Sequence, residues 1–305
     1  MKKKKKRHKI GNVKSHFLDS GAFSLWTIAA TYHKENKCGR WDYYDTDEFW
    51  AYADAYVKFV KKYKIAIDYH ANLDVIPNPE LTWRNQQYLE SKGLTPVPVV
   101  HYTTDLKWLH HYIEHGYQFI GLGGLVGSTM KKGCKDWIAN CFDIVHDTPD
   151  RMPKVKIHGF GVTSWKLLLR FPWWSVDSAA WDKIASFGGI CVPHRRKGKW
   201  DFSTQPYIMK VSFESPNIAN VPDVCKGNFH YFGLTGQEQQ IVKDWLNFIG
   251  IPLGSLDKEG KPEEQGVITF HVYRRVANLY FFDLMVKSLP EWPRPYTSKN
   301  RKSLL

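Results

Sequence analysis

Short apolar runs alternate with stretches of helical periodicity along most of this chain. Ser15 to Asp19 predicts a buried strand that ends on the turn residues Ser20 and Gly21. Across residues 47 to 63, Phe49, Trp50, Ala53, Val57 and Val60 recur three and four apart, the spacing of one helix face, with Asp45 and Glu48 resembling a capping box. Lys64 to Asp68 predicts a second strand. Asn78 and Pro79 open a helix that Gly93 closes, because Asn caps first-turn N–H groups and Gly accepts the left-handed conformation beyond a helix end. The cycle continues with strands at Val97 to His101, Tyr117 to Leu122, Val155 to His158 and Trp174 to Asp177. Helices fall between them at Leu106 to His115, 134 to 146 and Ser164 to Arg170.

Repeated strand–helix alternation means parallel strands with helices outside. Six such units, with further strands at Ile190 to Val192 and Ile208 to Phe213, suit a (β/α)8 TIM barrel, an α/β fold. The expected organisation is a disordered basic arm over residues 1–13 and a barrel domain over 14–305. Within that domain, 198–235 reads as an irregular insertion and 236–305 as a C-terminal extension with helices near 236–249 and 268–287. The run from Gly121 to Gly127 has the wrong spacing for a dinucleotide-binding fingerprint.

Charge adds a partner. The 305 residues carry 43 Lys and Arg against 30 Asp and Glu, a net charge of +13 that favours an anionic partner. The cations cluster. Lys2, Lys3, Lys4, Lys5, Lys6, Arg7 and Lys9 form an arm, Arg195, Arg196, Lys197 and Lys199 a second run, and Lys299, Arg301 and Lys302 a third. With 15% aromatic residues, these runs read as a phosphate-tracking surface with rings for base stacking. No apolar stretch reaches membrane-span length, so no membrane partner is expected. The basic start lacks the apolar region of a secretion signal, and the five cysteines are scattered, so reduced thiols in a cytoplasmic compartment are expected.

The strand ends carry the chemistry. Read in order they are Asp19 with Ser20 and Gly21, Asp68, His101, Gly123-Gly124-Leu125, His158-Gly159 and Asp177. In a barrel every such end opens into one mouth. An Asp after a strand is most often a helix cap and a strand-end His a structural residue, but three aspartates and two histidines on one rim suggest a site. Paired carboxylates suit substitution at a sugar's anomeric carbon, where one attacks and another group handles the leaving group's proton. The Gly-Gly pair would let backbone approach a planar ligand, and Asp68 could accept from the N–H groups of a purine edge.

These residues carry a resemblance. Leu18-Asp19-Ser20-Gly21-Ala22-Phe23 resembles the Asp-Ser-Gly-Gly-Phe signature of tRNA-guanine transglycosylases, and Gly123-Gly124-Leu125-Val126-Gly127 their base-binding loop. His158-Gly159-Phe160-Gly161 is similar to their Met-Gly-Val-Gly turn, and Ser175-Val176-Asp177-Ser178 to the segment that holds the nucleophile. The match covers residues 15 to 180, about half of the chain. It implies that Asp177 attacks C1′ of the target nucleoside and that Asp19 manages protons on the outgoing and incoming bases. It implies that Phe23 stacks on the base, while Asp68, His101, Gly123, Gly124, Leu125, His158 and Gly159 surround it. His101 stands where the tRNA enzymes have Gln, and His158 where they often have Met.

The tRNA enzymes also carry a Cys-x-Cys-x2-Cys zinc cluster with a later His, which this chain lacks. Cys191, His194, Cys225 and His230 supply Cys-x2-His and Cys-x4-His spacings without a Cys-x2-Cys knuckle, so loose thiols and no cofactor are the expectation. The missing cluster, the basic arm and the Gly-Phe-Gly and Ser-Val-Asp-Ser phrases most resemble the phage-type DNA-guanine transglycosylases. That resemblance implies DNA as partner and a 7-deazaguanine as the incoming base. A tRNA substrate and a barrel that binds DNA without catalysis remain alternatives.

Overall fold

A computed structural model describes residues 15–126, 132–146, 152–214 and 230–289. Lys2 to Lys6, Arg7 and Lys9, the run from Lys299 to Lys302, Gly127 and Cys225 lie outside the described residues. The chain divides into two compact units, the first covering residues 15–162 and 171–176 of the described chain, the second 163–170 and 177 onward.

The first unit is built on six parallel strands taken in chain order. β1 (Phe17–Leu18) pairs with β2 (Tyr69–His70), and β3 (Val99–His101), β4 (Phe119–Gly123), β5 (Lys156–Gly159) and β6 (Ser175–Val176) form a four-stranded sheet. A parallel bridge from Ala71 to Val97 joins the two groups. Helices α1 (Ala22–Asn36), α2 (Asp47–Tyr63), α3 (Pro79–Ser91), α4 (Lys107–Glu114) and α5 (Lys132–Val145) fall between the strands, and α6 (Trp165–Arg170), between β5 and β6 in the chain, clusters with the second unit. Strand order never reverses, unlike the doubly wound folds, whose order turns back at a switch point.

The sheet is curled. The Phe17 ring on β1 stacks on His158 of β5 with centroids 4.6 Å apart and meets Phe119 of β4 at 5.9 Å. Strands lie about 4.8 Å apart, so a flat sheet would hold β1 and β5 roughly 19 Å from one another. Side chains of alternate residues therefore fill the inside of the curl, with Tyr69 and Phe160 among them, while the half-exposed Trp174 meets Tyr69 edge-on. Gly121 is part of this packing, since a Cβ there would sit 2.5 Å from the Phe160 ring. Among the described residues β6 pairs with β5 alone.

Outside the curl, α2 lays Phe49, Ala53, Tyr56, Val57 and Val60 on Leu73, Val75 and Leu89, which is the face its spacing predicts. Its cap differs from expectation. Thr46, not a box of Asp45 and Glu48, accepts from Phe49 N at 3.2 Å. α3 begins and ends as predicted, with Asn78 Oδ1 accepting from Leu81 N at 3.0 Å. β2 starts after Asp68 rather than ending on it.

In the second unit, α7 (Ala180–Ser186) leads into β7 (Gly189–Val192), followed by β8 (His194–Arg196), β9 (Lys199–Asp201) and β10 (Tyr207–Lys210). β7 and β10 run antiparallel, so these residues are not successive strands of a parallel barrel, which corrects that expectation. β8 and β9 form a hairpin whose turn residues Lys197 and Gly198 have φ of 49° and 78°, both positive as a two-residue I′ turn requires. α8 (Gly236–Ile249) carries the Thr235–Glu238 capping box, a β-hairpin of β11 (Ser255–Leu256) and β12 (Pro262–Glu264) follows, and α9 (His271–Lys287) closes the described chain. Buried Asn278 on α9 accepts from Cys191 N at 2.7 Å and donates to Trp181 O at 2.9 Å, pinning β7 and α7 to the helix.

Candidate active site at the strand ends of the first unit

The loop after β2 is held by side chains that a plain apolar reading of helices misses. On α3, Thr82 Oγ1 accepts from Val75 N at 2.9 Å, Asn85 Nδ2 donates to Leu73 O at 2.7 Å, and Thr82 O accepts from Asn72 Nδ2 at 2.8 Å. On α2, Tyr56 donates to Ala71 O at 2.8 Å and Tyr52 to Ser20 O at 2.7 Å. Burial pushes both phenols up, so they stay neutral donors at ordinary pH. Two strand-end loops are thereby fixed to one helix.

Those pegs present Asp74, which is buried. Its Oδ2 lies 2.7 Å from His101 Nε2 and its Oδ1 3.5 Å from Ser20 Oγ, so the loops after β1 and β2 meet the end of β3 on a single carboxylate. Asp19 precedes Ser20 and accepts from its backbone N–H at 2.7 Å. Asp19 is exposed overall, and partial loss of water around its carboxyl, with the neighbouring Asp74 charge after it, raises its pKa above the ordinary value against backbone N–H bonds from Ser20 and Gly21 that pull the other way. A carboxyl held up in this way is suited to carry and return a proton.

Gly123 and Gly124 make room for this arrangement. A Cβ at Gly123 would lie 2.9 Å from His101 Cδ2, and Gly124, at φ 69°, would place one 3.3 Å from Tyr102 N. The pair thus seats the imidazole and the turn behind it, a reason for the two glycines that needs no ligand. Leu125 is fully buried, leaving only its backbone for any ligand. Phe23, at the start of α1, is 66% exposed and stacks on Trp26 at 5.8 Å, free on its outer side for a planar partner.

Two expected site residues stand elsewhere. Asp68 lies before β2, at the opposite end of the strand from Asp74, where it accepts from His16 N at 2.8 Å. The carboxylate at the strand-end rim is Asp74, six residues further on. His158 is 3% exposed inside the curl, stacked on Phe17 and 2.8 Å from Ser175 Oγ through Nδ1, with Nε2 buried and unpartnered. It is a core histidine, while Gly159 ends β5 against Trp173. Asp177 follows β6 directly in the chain and begins a stretch that clusters with the second unit.

Burial lowers the His158 pKa from 6.5 to about 4. The unfolded chain takes up its proton near 6.5 and the folded protein near 4, so stability should fall as pH drops through that window and level off below it. The loss is ~3 kcal/mol at about 1.4 kcal/mol per pH unit. Urea midpoints for the protein and for His158→Met, taken between pH 7 and 4, measure it: the variant should lack this component, and parallel curves would refute it.

On the hairpin, Arg195 reaches Asp244 at 2.9 Å and lies 5.3 Å from the Trp200 ring, while Arg196 reaches Asp201 at 3.1 Å. These two arginines staple the hairpin to α8 and to itself, leaving Lys197 and Lys199, exposed at the tip, as its unpaired cations among the described residues. His194 Nε2 faces Gln205 O at 3.0 Å, His230 Nε2 faces Ser212 O at 3.0 Å, and Cys191 is buried in β7. Among the described residues no three His, Cys, Asp or Glu side chains converge as metal ligands. No described helix is long and apolar enough to cross a membrane.

Compared with known proteins, the chain matches no protein family, no curated protein and no solved structure.

Proposed function

We propose that this protein is a guanine transglycosylase that exchanges guanine in DNA for a 7-deazaguanine, on a (β/α)8 barrel whose first six strands are β1 to β6. The observation that carries the reading is the cluster of Asp19, Ser20, Asp74 and His101, which joins three adjacent strand ends beside the Gly123–Gly124 turn. It is the end of a parallel sheet at which barrel enzymes place their chemistry. The motif resemblance through Asp177 and the net charge of +13 support the choice of reaction and partner.

In this reading the target guanosine leaves the base stack, because its sugar is out of reach inside a duplex. An Asp177 carboxylate oxygen bonds to C1′ as the C1′–N9 bond breaks, and Asp19 gives a proton to the departing guanine. The incoming base returns a proton to Asp19 and bonds to C1′ through its ring nitrogen, releasing the Asp177 carboxylate. Asp19, with its raised pKa, is suited to that exchange. Phe23 offers its exposed ring to the base, and Asp74 takes the place expected of Asp68.

Radiolabelled guanine incubated with the protein and either duplex DNA or unmodified tRNA tests the reading. Label is expected in DNA. Label in tRNA alone would move the substrate to the alternative, and label in neither would remove the exchange reaction.

A further inference from the structure

The turn after β3 holds a residue in the wrong conformation for its type. His101 O accepts from Thr104 N at 3.1 Å and from Thr104 Oγ1 at 2.7 Å, closing a four-residue turn. Its third residue, Thr103, has φ 82°. That position of a type II turn favours Gly, and a β-branched residue there is strained because its Cβ crowds the following carbonyl. Thr103 is exposed, and neither its N–H nor its hydroxyl forms a hydrogen bond among the described residues. The doubled bond from Thr104 holds the turn shut, so a glycine at 103 would fit the same turn without strain. What threonine adds over glycine is a hydroxyl, next to a free backbone N–H, at the rim.

The location gives that hydroxyl a use. The turn begins at His101, whose Nε2 meets Asp74, and it lies against Gly124, where an added Cβ would come within 3.3 Å of Tyr102 N and 3.6 Å of Tyr102 O. Strained residues held in place by their surroundings concentrate at ligand-binding positions. We propose that Thr103 is a ligand-contacting residue, donating from its hydroxyl and its N–H to the acceptor edge of the base held at this site. This rests on the guanine reading above and extends it to a residue outside the motifs.

Three variants, Thr103→Gly, Thr103→Ser and Thr103→Val, test it through melting temperature without ligand and equilibrium binding of radiolabelled guanine. Thr103→Gly should melt roughly 2–4 °C higher and bind guanine about tenfold more weakly. Thr103→Ser should bind within about twofold of the parent, and Thr103→Val should lose affinity as Gly does without the gain in melting temperature. A Thr103→Gly protein that melts higher and still binds guanine at full strength overturns the contact and leaves the guanine site intact. One that melts no higher overturns the strain. A parent protein that binds no guanine overturns the guanine reading and this contact with it.

Discussion

On the proposed mechanism, Asp177→Asn should abolish a covalent protein–DNA adduct and lower guanine exchange by at least about a thousandfold, the scale on which removing a nucleophile acts. Asparagine has nearly the same size and shape, so packing after β6 is preserved, but its amide oxygen is neutral and is a poor nucleophile towards C1′. DNA affinity should stay within about twofold, because affinity for nucleic acid comes mainly from cations that neutralise phosphates. Denaturing gels of the protein incubated with guanine-containing DNA read the adduct, and filter binding reads the affinity. An Asp177→Asn protein that exchanges guanine at the parent rate would remove Asp177 from the chemistry. Loss of adduct together with loss of DNA binding would instead point to a disturbed fold.

Asp74→Ala should cost about 1–3 kcal/mol of folding stability, as leaving a buried hydrogen-bonding partner unsatisfied does. His101 is 1% exposed and Asp74 9%, so water does not replace the missing oxygen at Nε2. Ser20 Oγ loses its acceptor in the same step, and the loops after β1 and β2 lose their common anchor. Asp74→Asn should cost less, since its side-chain oxygen still meets the imidazole. Combining Asp74→Ala with His101→Leu should recover part of the loss, because the imidazole is then no longer left without its partner. Urea unfolding of the three proteins measures this, and a loss below about 1 kcal/mol for Asp74→Ala would show that the pair is solvated.

Why Asp74 escapes a sequence reading is physical. The apolar run Ile65-Ala66-Ile67 draws the strand too early, and the structure leaves Ile65 exposed at the end of α2. The better signal was the two-residue alternation of Ala71, Leu73 and Val75 with His70, Asn72 and Asp74, but all six are buried, the polar ones included. Burying them depends on Thr82, Asn85 and the α2 tyrosines, which are far enough along the chain that no local pattern announces them. No local pattern announces α1 either. Its exposed Phe23 and Ile28 blur the apolar stripe that Leu25 and Ala29 begin.

By itself, the sequence determined the alternation of strands and helices, the limits of α3 and α8, and the placement of Asp19, His101 and Gly123–Gly124 at strand ends, because local periodicity and capping chemistry act over a few residues. Tertiary structure alone decided that Asp74 rather than Asp68 meets His101, that His158 is a core residue, that Arg195 and Arg196 are occupied by Asp244 and Asp201, and that β7 and β10 run antiparallel. Each of these depends on which distant side chain arrives to satisfy a buried or charged group. Hydrogen bonding and desolvation settle that only once the chain has curled the sheet and brought the loops together.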